Sequence, residues 1–301
     1  MNLRYGKAFR IPRKIAKYIL SYLIYPITTK IWRLPNVKSI DETLDKIISE
    51  KSSISRYGDS EFLYMMDKLS LPYQVYDERL DRRMREILIS NEPNILVGLP
   101  IGYYSLEGLI PESYHTWRSQ IAWIYPRLIK FLKRDKTYYN SSMTRFYYEY
   151  KDKNISKGYL EKLLLLWENR EVLLIEGEKS RLGVGNDLFS NAINVERILA
   201  PKHHAFAKYD ELYEEALKHD KSKLVMIALG PTATVLAFDL AKQGYQAIDI
   251  GNIDIEYEWY KRGASGKIKI PGKYTSEASG GRVVEDVVDE KYQSQIISQI
   301  I

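Results

Sequence analysis

Leu224-Val-Met-Ile-Ala-Leu-Gly230-Pro231-Thr232-Ala-Thr234-Val-Leu236 and, ten residues on, Gln246-Ala-Ile-Asp249-Ile-Gly251-Asn252-Ile-Asp254-Ile-Glu256-Tyr-Glu258-Trp259 read together as strand, glycine turn, helix, strand and acidic cluster. The run Leu224 to Leu229 has the length and continuous apolarity of a fully buried strand. Gly230-Pro231 breaks it just before the helical spacing of Val235, Leu236 and Leu240. Glycine permits close backbone approach there, and proline suits the first helical position. A helix opening in this way at the carboxyl end of a buried strand presents unpaired N–H groups and the positive end of its dipole, which suits a phosphate. A nucleotide or sugar-nucleotide site is the reading that follows.

Working outward, strands are expected at Ser52–Tyr57, Ile95–Leu99, Val172–Ile175, Val195–Leu199 and Gln246–Ile250. Helical patterns separate most of them: 40–48, capped near Ser39 or Asp41, then 62–68, 77–90, 112–133, 156–168, 209–218 and 232–243. This alternation predicts an α/β fold, Rossmann-like, with a mostly parallel sheet and helices on both faces. Ligands on such sheets sit at the carboxyl ends of the strands. The expected organisation is a basic segment over residues 1–36, one large domain over 37–280, and a C-terminal helix within 281–301, read as a dimer or docking element.

The 301 residues carry a net charge of +6, no cysteine and 45% hydrophobic side chains. That is enough to bury a large core, and disulfides and thiolate metal sites are ruled out. Position says more than total charge. Residues 1–40 hold nine Lys or Arg and no acid, so removing those nine from 45 leaves 36 bases against 39 acids on the remaining body. A nucleic-acid binder carries its basic surface on the folded body, so no nucleic acid is expected as a partner.

Between Arg10 and Trp32 the bases alternate with Ile15, Ile19, Leu20, Leu23, Ile24 and Ile27, which gathers apolar groups on one helical side. The uncharged stretch Tyr18–Thr29 is too short to span a bilayer, and no cleavage site follows it. Two readings stand: an amphipathic segment lying on an anionic membrane surface with Tyr18, Tyr22, Tyr25 and Trp32 at headgroup level, or a helix packed on the domain or on a second copy in a homodimer.

Three further stretches carry chemistry. Arg56-Tyr57-Gly58-Asp59-Ser60-Glu61 closes the first core strand and opens a helix. Asp59 and Glu61 form a D-x-E pair able to hold one hard divalent cation through oxygen, with Arg56 neutralising phosphate; the alternative is an Asp cap with a dipole-favourable Glu in the first helical turn. Asp249-Ile-Gly251-Asn252-Ile-Asp254-Ile-Glu256-Tyr-Glu258 supplies carboxylates at the same sheet edge as Gly230, with Asp254 and Glu258 one helical turn apart. Glu176-Gly-Glu178-Lys-Ser-Arg181-Leu-Gly-Val-Gly185 is a glycine-bearing loop in which Arg181 either meets a phosphate or pairs with Glu176 or Glu178. With four histidines in the chain, a histidine metal site or Ser/His/Asp triad has little support.

Taken together, Ser55 to Glu61, Gly230-Pro231-Thr232-Ala-Thr234 and Asp249-Ile-Gly251 with Asp254, Glu256, Tyr257 and Trp259 resemble the bacterial GT-D glycosyltransferases, a group found in glycoprotein and surface-polysaccharide gene clusters. The resemblance covers about residues 37–280. It implies a Rossmann-like fold, a nucleoside-diphosphate-sugar donor, Asp59 and Glu61 serving the metal, and Gly230 to Thr232 lining the diphosphate. Where the family pattern leads us to expect His, this chain has Asn252, whose amide can hydrogen-bond but is no base near neutral pH.

The resulting expectation is a metal-dependent enzyme that moves a hexose from a UDP-sugar to a glycan acceptor, with Mn or Mg bound by Asp59 and Glu61. Arg56, Gly58, Arg181, Gly230, Pro231, Thr232, Asp249 and Asn252 would contact the donor. Asp254, Glu256 or Glu258 would deprotonate the acceptor hydroxyl if the reaction inverts. A lipid-diphosphate-linked acceptor and a place on the cytoplasmic face of a bacterial plasma membrane complete the picture. The competing classes are a non-catalytic nucleotide-binding scaffold subunit and a metal-dependent phosphohydrolase.

Overall fold

Strand after strand of this chain alternates its side chains between two apolar layers. In Leu224-Val-Met-Ile, Leu224 and Met226 join one core cluster and Val225 and Ile227 the other. Val172 to Ile175 divide in the same way. Such residues need cover on both faces, and a parallel sheet sandwiched by helices provides it. The computed structural model, which describes residues 7–301 with side-chain environments from residue 15 onward, has this architecture.

Nine strands form one sheet: β1 (Asn36–Val37), β2 (Ser53–Arg56), β3 (Ile95–Leu99), β4 (Thr137–Asn140), β5 (Glu171–Gly177), β6 (Asn194–Ala200), β7 (Leu224–Ala228), β8 (Gln246–Asp249) and β9 (Ile296–Gln299). Their order is β1-β4-β3-β2-β8-β7-β5-β6-β9, and each pairing is parallel. The helices are α1 (Lys7–Ile31), α2 (Ile40–Glu50), α3 (Asp59–Asp67), α4 (Glu78–Leu88), α5 (Pro111–Trp123), α6 (Tyr125–Leu128), α7 (Asn154–Leu164), α8 (Tyr209–Ala216), α9 (Pro231–Lys242), α10 (Ile253–Lys261) and α11 (Glu290–Gln295). Cores containing α3, α4, α8 and α9 cover one face, and cores containing α2, α7 and α10 cover the other.

Local sequence explains several boundaries. Ser39 caps α2 in a reciprocal box with Glu42, as its position predicts. The expected helix over 112–133 is broken: α5 ends at Trp123, and α6 starts anew with Pro126 in its first turn, where the missing N–H does no harm. The expected C-terminal helix is corrected too. Only Glu290–Gln295 is helical, capped by Asp289, and Ile296–Gln299 runs on as an edge strand beside β6. Its alternating half-buried and exposed residues suit an edge. Ile296–Gln299 thus joins the sheet of the main domain.

α1 lies along α5. Arg118, 2% exposed, donates from Nε to Ser21 Oγ at 2.9 Å and from Nη2 to the Tyr18 carbonyl at 3.0 Å. Tyr18 and Thr116 hydroxyls meet at 3.0 Å. The part of the basic arm from Tyr18 onward is therefore docked on the domain by one face, as the packing alternative requires, and residues 1–6 lie outside the described residues.

Candidate active site

The two halves of the sheet meet where β2 pairs with β8 at Ile54 and Ile248, and the carboxyl ends of β2 through β8 open into one cavity of about 460 Å³. This is the crevice where open α/β sheets bind ligands. Arg56 is its fixed point. Its Nη1 donates to the Ser141 carbonyl at 2.8 Å and to Thr144 Oγ1 at 2.6 Å, and its Nη2 to Asp249 Oδ1 at 3.1 Å. Arg56 Nε is buried with no protein partner. Burial raises the Asp249 carboxyl above its usual range, and Arg56 opposes that rise.

Gly58, Asp59 and Glu61 stand on the same wall, at the start of α3. The expected Asp cap is corrected: Gly58 is the N-cap of α3, Asp59 is its first residue, and Glu61, in the first turn, accepts the Gly58 N–H on Oε2 at 2.8 Å. Burial first, and then the charge of Asp59, push the Glu61 carboxyl up to about 7. Asp59 receives a 3.4 Å bond from Gln120 Nε2. Among the described residues no group of three or more Asp, Glu, His or Cys forms a ready-made cage. Two crowded carboxylates facing a cavity nonetheless fit Mg or Mn, which take one or two protein carboxylates and complete their shell with water and substrate phosphate.

Gly230 opens α9 on the adjoining wall, with φ +56; a Cβ there would meet the Tyr73 ring at 2.8 Å. Thr234, one turn into α9, binds the Arg56 carbonyl at 2.8 Å and lines the cavity, whereas Pro231 and Thr232 do not. Thr232 is fully buried against Gln74. Asn252 is on the wall and donates to Glu277 Oε1 at 3.3 Å.

Four further sequence-based candidates lie off this wall. Arg181 is buried, donating to the carbonyls of Gly272 and Glu285, both at 2.8 Å; neither Glu176 nor Glu178 is its partner, and Glu176 pairs with Arg197 instead. Asp254 and Glu258 close on the buried Lys273 at 2.6 and 3.3 Å and share Asn186. Glu256 accepts the N–H groups of Tyr147 and Tyr148 at 2.9 and 2.6 Å. α10 thus points these three carboxylates into the fold, where they brace the loops behind the cavity.

In their place the cavity presents residues that carry no motif. Arg145 pairs with Glu277 at 2.5 Å, and Lys267 with Glu277 at 3.1 Å. Burial works to raise the Glu277 carboxyl, but Arg145 and Lys267 outweigh it and hold it at about 2. Glu149 accepts a 3.4 Å bond from Trp117 Nε1, and burial pushes its carboxyl up to about 7 against the pull of Arg145. Glu112 on α5 accepts from the Tyr148 hydroxyl at 3.0 Å. The aromatic run Phe146-Tyr-Tyr-Glu149-Tyr was the one signal in the sequence that could have marked this wall.

Comparison with known proteins places the family and the fold. A family model described as the glycosyltransferase GT-D fold matches residues 54–278. The chain is 40% identical over 266 residues, 88% of its length, to glycosyltransferase GlyD of Streptococcus pneumoniae serotype 4, and 37% identical over 269 residues to a probable glycosyl transferase Gly of Streptococcus gordonii. It spans 32% and 39% of those relatives' lengths. A solved structure described as domain of unknown function 1792 superposes with TM-score 0.84 at 35% identity, covering 93% of this chain and 99% of that one. Another, described as a new glycosyltransferase from Streptococcus sanguinis, superposes with TM-score 0.83 at 33% identity, covering 89% and 100%.

Proposed function

This chain belongs to the glycosyltransferases of the GT-D fold, and from that premise we propose that it transfers a hexose from a UDP-sugar to a glycan acceptor with the help of Mg or Mn held by Asp59 and Glu61. The observation that carries the reading is the meeting of three groups around one cavity: the crowded Asp59–Glu61 pair, the clamped Arg56, and the amino end of α9 at Gly230. A nucleoside diphosphate needs all three chemistries at once.

A bound divalent cation would supply charge neutralisation at the diphosphate as it departs. Arg56, fixed by Ser141, Thr144 and Asp249, holds its positive charge at the cavity wall without having to reorganise. The α9 amino end adds backbone N–H groups and the positive dipole end. On the acceptor side, Glu149 replaces Asp254, Glu256 and Glu258 as the carboxylate for an inverting transfer. The acceptor oxygen bonds to the anomeric carbon, the bond from that carbon to the diphosphate oxygen breaks, the hydroxyl proton passes to Glu149 and UDP leaves. A carboxyl held near 7 matches that task. Trp117 and Tyr148 line the same cavity, where an aromatic edge can border a sugar ring.

Calorimetric titration of UDP with and without Mn tests the donor half. Metal-dependent binding that Asp59→Asn weakens by at least about tenfold supports it. UDP binding that ignores both metal and the substitution returns the chain to the scaffold class, and release of inorganic phosphate without an acceptor to the phosphohydrolase class.

A further inference from the structure

α1 is docked by one face only. Ser21, Thr28 and the rings of Tyr18, Tyr25 and Trp32 turn toward α5 and the core. The opposite face carries Ile15, Ile19, Leu23, Ile27 and Ile31, spaced four residues apart, with Leu20 beside them. Ile19, Leu23, Ile27 and Ile31 are 62, 70, 57 and 60% exposed. A helix needing only to pack on its domain has no use for a second apolar face, since polar residues are the usual solvent side.

Charge identifies what covers it. Lys17, Lys30 and Arg33 are exposed at the flanks and end of the stripe, and the first 40 residues hold nine bases and no acid. No helix among the described residues is long and apolar enough to cross a bilayer. Large aliphatic groups in a row, bases at the rim and no acid are the chemistry of a helix lying in an anionic lipid interface. We infer that the outer face of α1 seats the protein on an anionic membrane surface. The placement gives that contact a use. α5, which holds α1 through Arg118 and Ala122, lends Ser113, Thr116 and Trp117 to the cavity wall, so the bilayer lies one helix away from the site. An acceptor carried on a lipid would be presented beside Glu149.

This inference needs no donor or turnover and stands or falls apart from the transferase reading. The full chain is sedimented with phosphatidylcholine vesicles and with vesicles containing about one third phosphatidylglycerol. Expected is binding to the anionic vesicles, weakened by salt, and reduced at least about tenfold in Leu23→Glu/Ile27→Glu, with an unchanged melting temperature. Wild-type protein that stays in the supernatant with anionic vesicles overturns the inference. So does a wild-type dimer in light scattering that the double substitution splits while vesicle binding is unaffected, which gives the stripe to a second copy.

Discussion

Arg56 Nη2 lies 3.1 Å from Asp249 Oδ1, an ion pair that closes the seam between β2 and β8 directly beneath the cavity. Gly251 makes room for it: a Cβ at that position would run into Arg56 Nη2, and φ there is +52. The Asp-x-Gly element therefore has a steric meaning. Asp249 holds the guanidinium and Gly251 vacates the space it fills.

Gly251→Ala is expected to lose stability by about 1–2 kcal/mol from its backbone conformation and to weaken UDP binding by displacing Arg56. Arg56→Lys keeps the charge but not the forked geometry, and kcat should fall by about 100-fold. Thermal unfolding and calorimetry read the first, steady-state kinetics the second. Wild-type turnover in Arg56→Lys would remove Arg56 from the site.

Glu61 makes stability depend on pH. Its carboxyl titrates at about 7 in the fold and near 4.5 when unfolded, so the folded chain holds the extra proton between those values. The contribution is fully present below about pH 4.5 and is lost as pH rises through about 7. Melting temperature should fall over that window, and Glu61→Gln should flatten the fall. Mn should restore more at pH 8 than at pH 5, because metal and proton compete for the same carboxylates. A melting temperature indifferent to Mn at both pH values would argue against the cation site.

Lys273 sits between two buried carboxylates, and Lys273→Met takes from Asp254 its one ion-pair partner among the described residues, while Glu258 keeps Arg262 at 3.0 Å. Breaking such a buried pair costs about 3–5 kcal/mol. The variant should melt earlier while its folded fraction keeps a near-normal kcat. A stable but inactive Lys273→Met would return Asp254 and Glu258 to the chemistry.

Glu149 should govern the rising limb of activity with pH. With saturating metal to suppress titration of Glu61, kcat should climb through about 7 as the Glu149 carboxyl loses its proton. Glu149→Gln should lower kcat by about 100-fold or more, with little change in KM, and abolish that limb. Glu258→Gln should leave the limb in place. The opposite pattern would assign proton transfer to α10.

The central strands and the Gly230-Pro231 helix start were readable because their signals are local: continuous apolar runs, a turn and a cap. β4 was not, since Thr137-Tyr-Tyr-Asn140 is short and polar and owes its strand state to pairing with β3 and β1. β9 follows a helical turn and is specified only by the free edge of β6. The same divide runs through the site. Arg56, Asp59, Glu61 and Asp249 follow strands and were found. Arg145 and Glu149 lie on one loop and Lys267 and Glu277 on another far away in sequence, and the two meet through the Arg145–Glu277 ion pair. The carboxylates of α10 misled because an acidic cluster at the right sheet edge looks alike whether it faces the cavity or a buried Lys273.

The most direct measurement is UDP release from a panel of nucleotide sugars, with and without Mn or Mg, for the wild type and Glu61→Ala. The account predicts metal-dependent release from a UDP-hexose that Glu61→Ala abolishes. Equal release without metal, or undiminished release by Glu61→Ala, would contradict it.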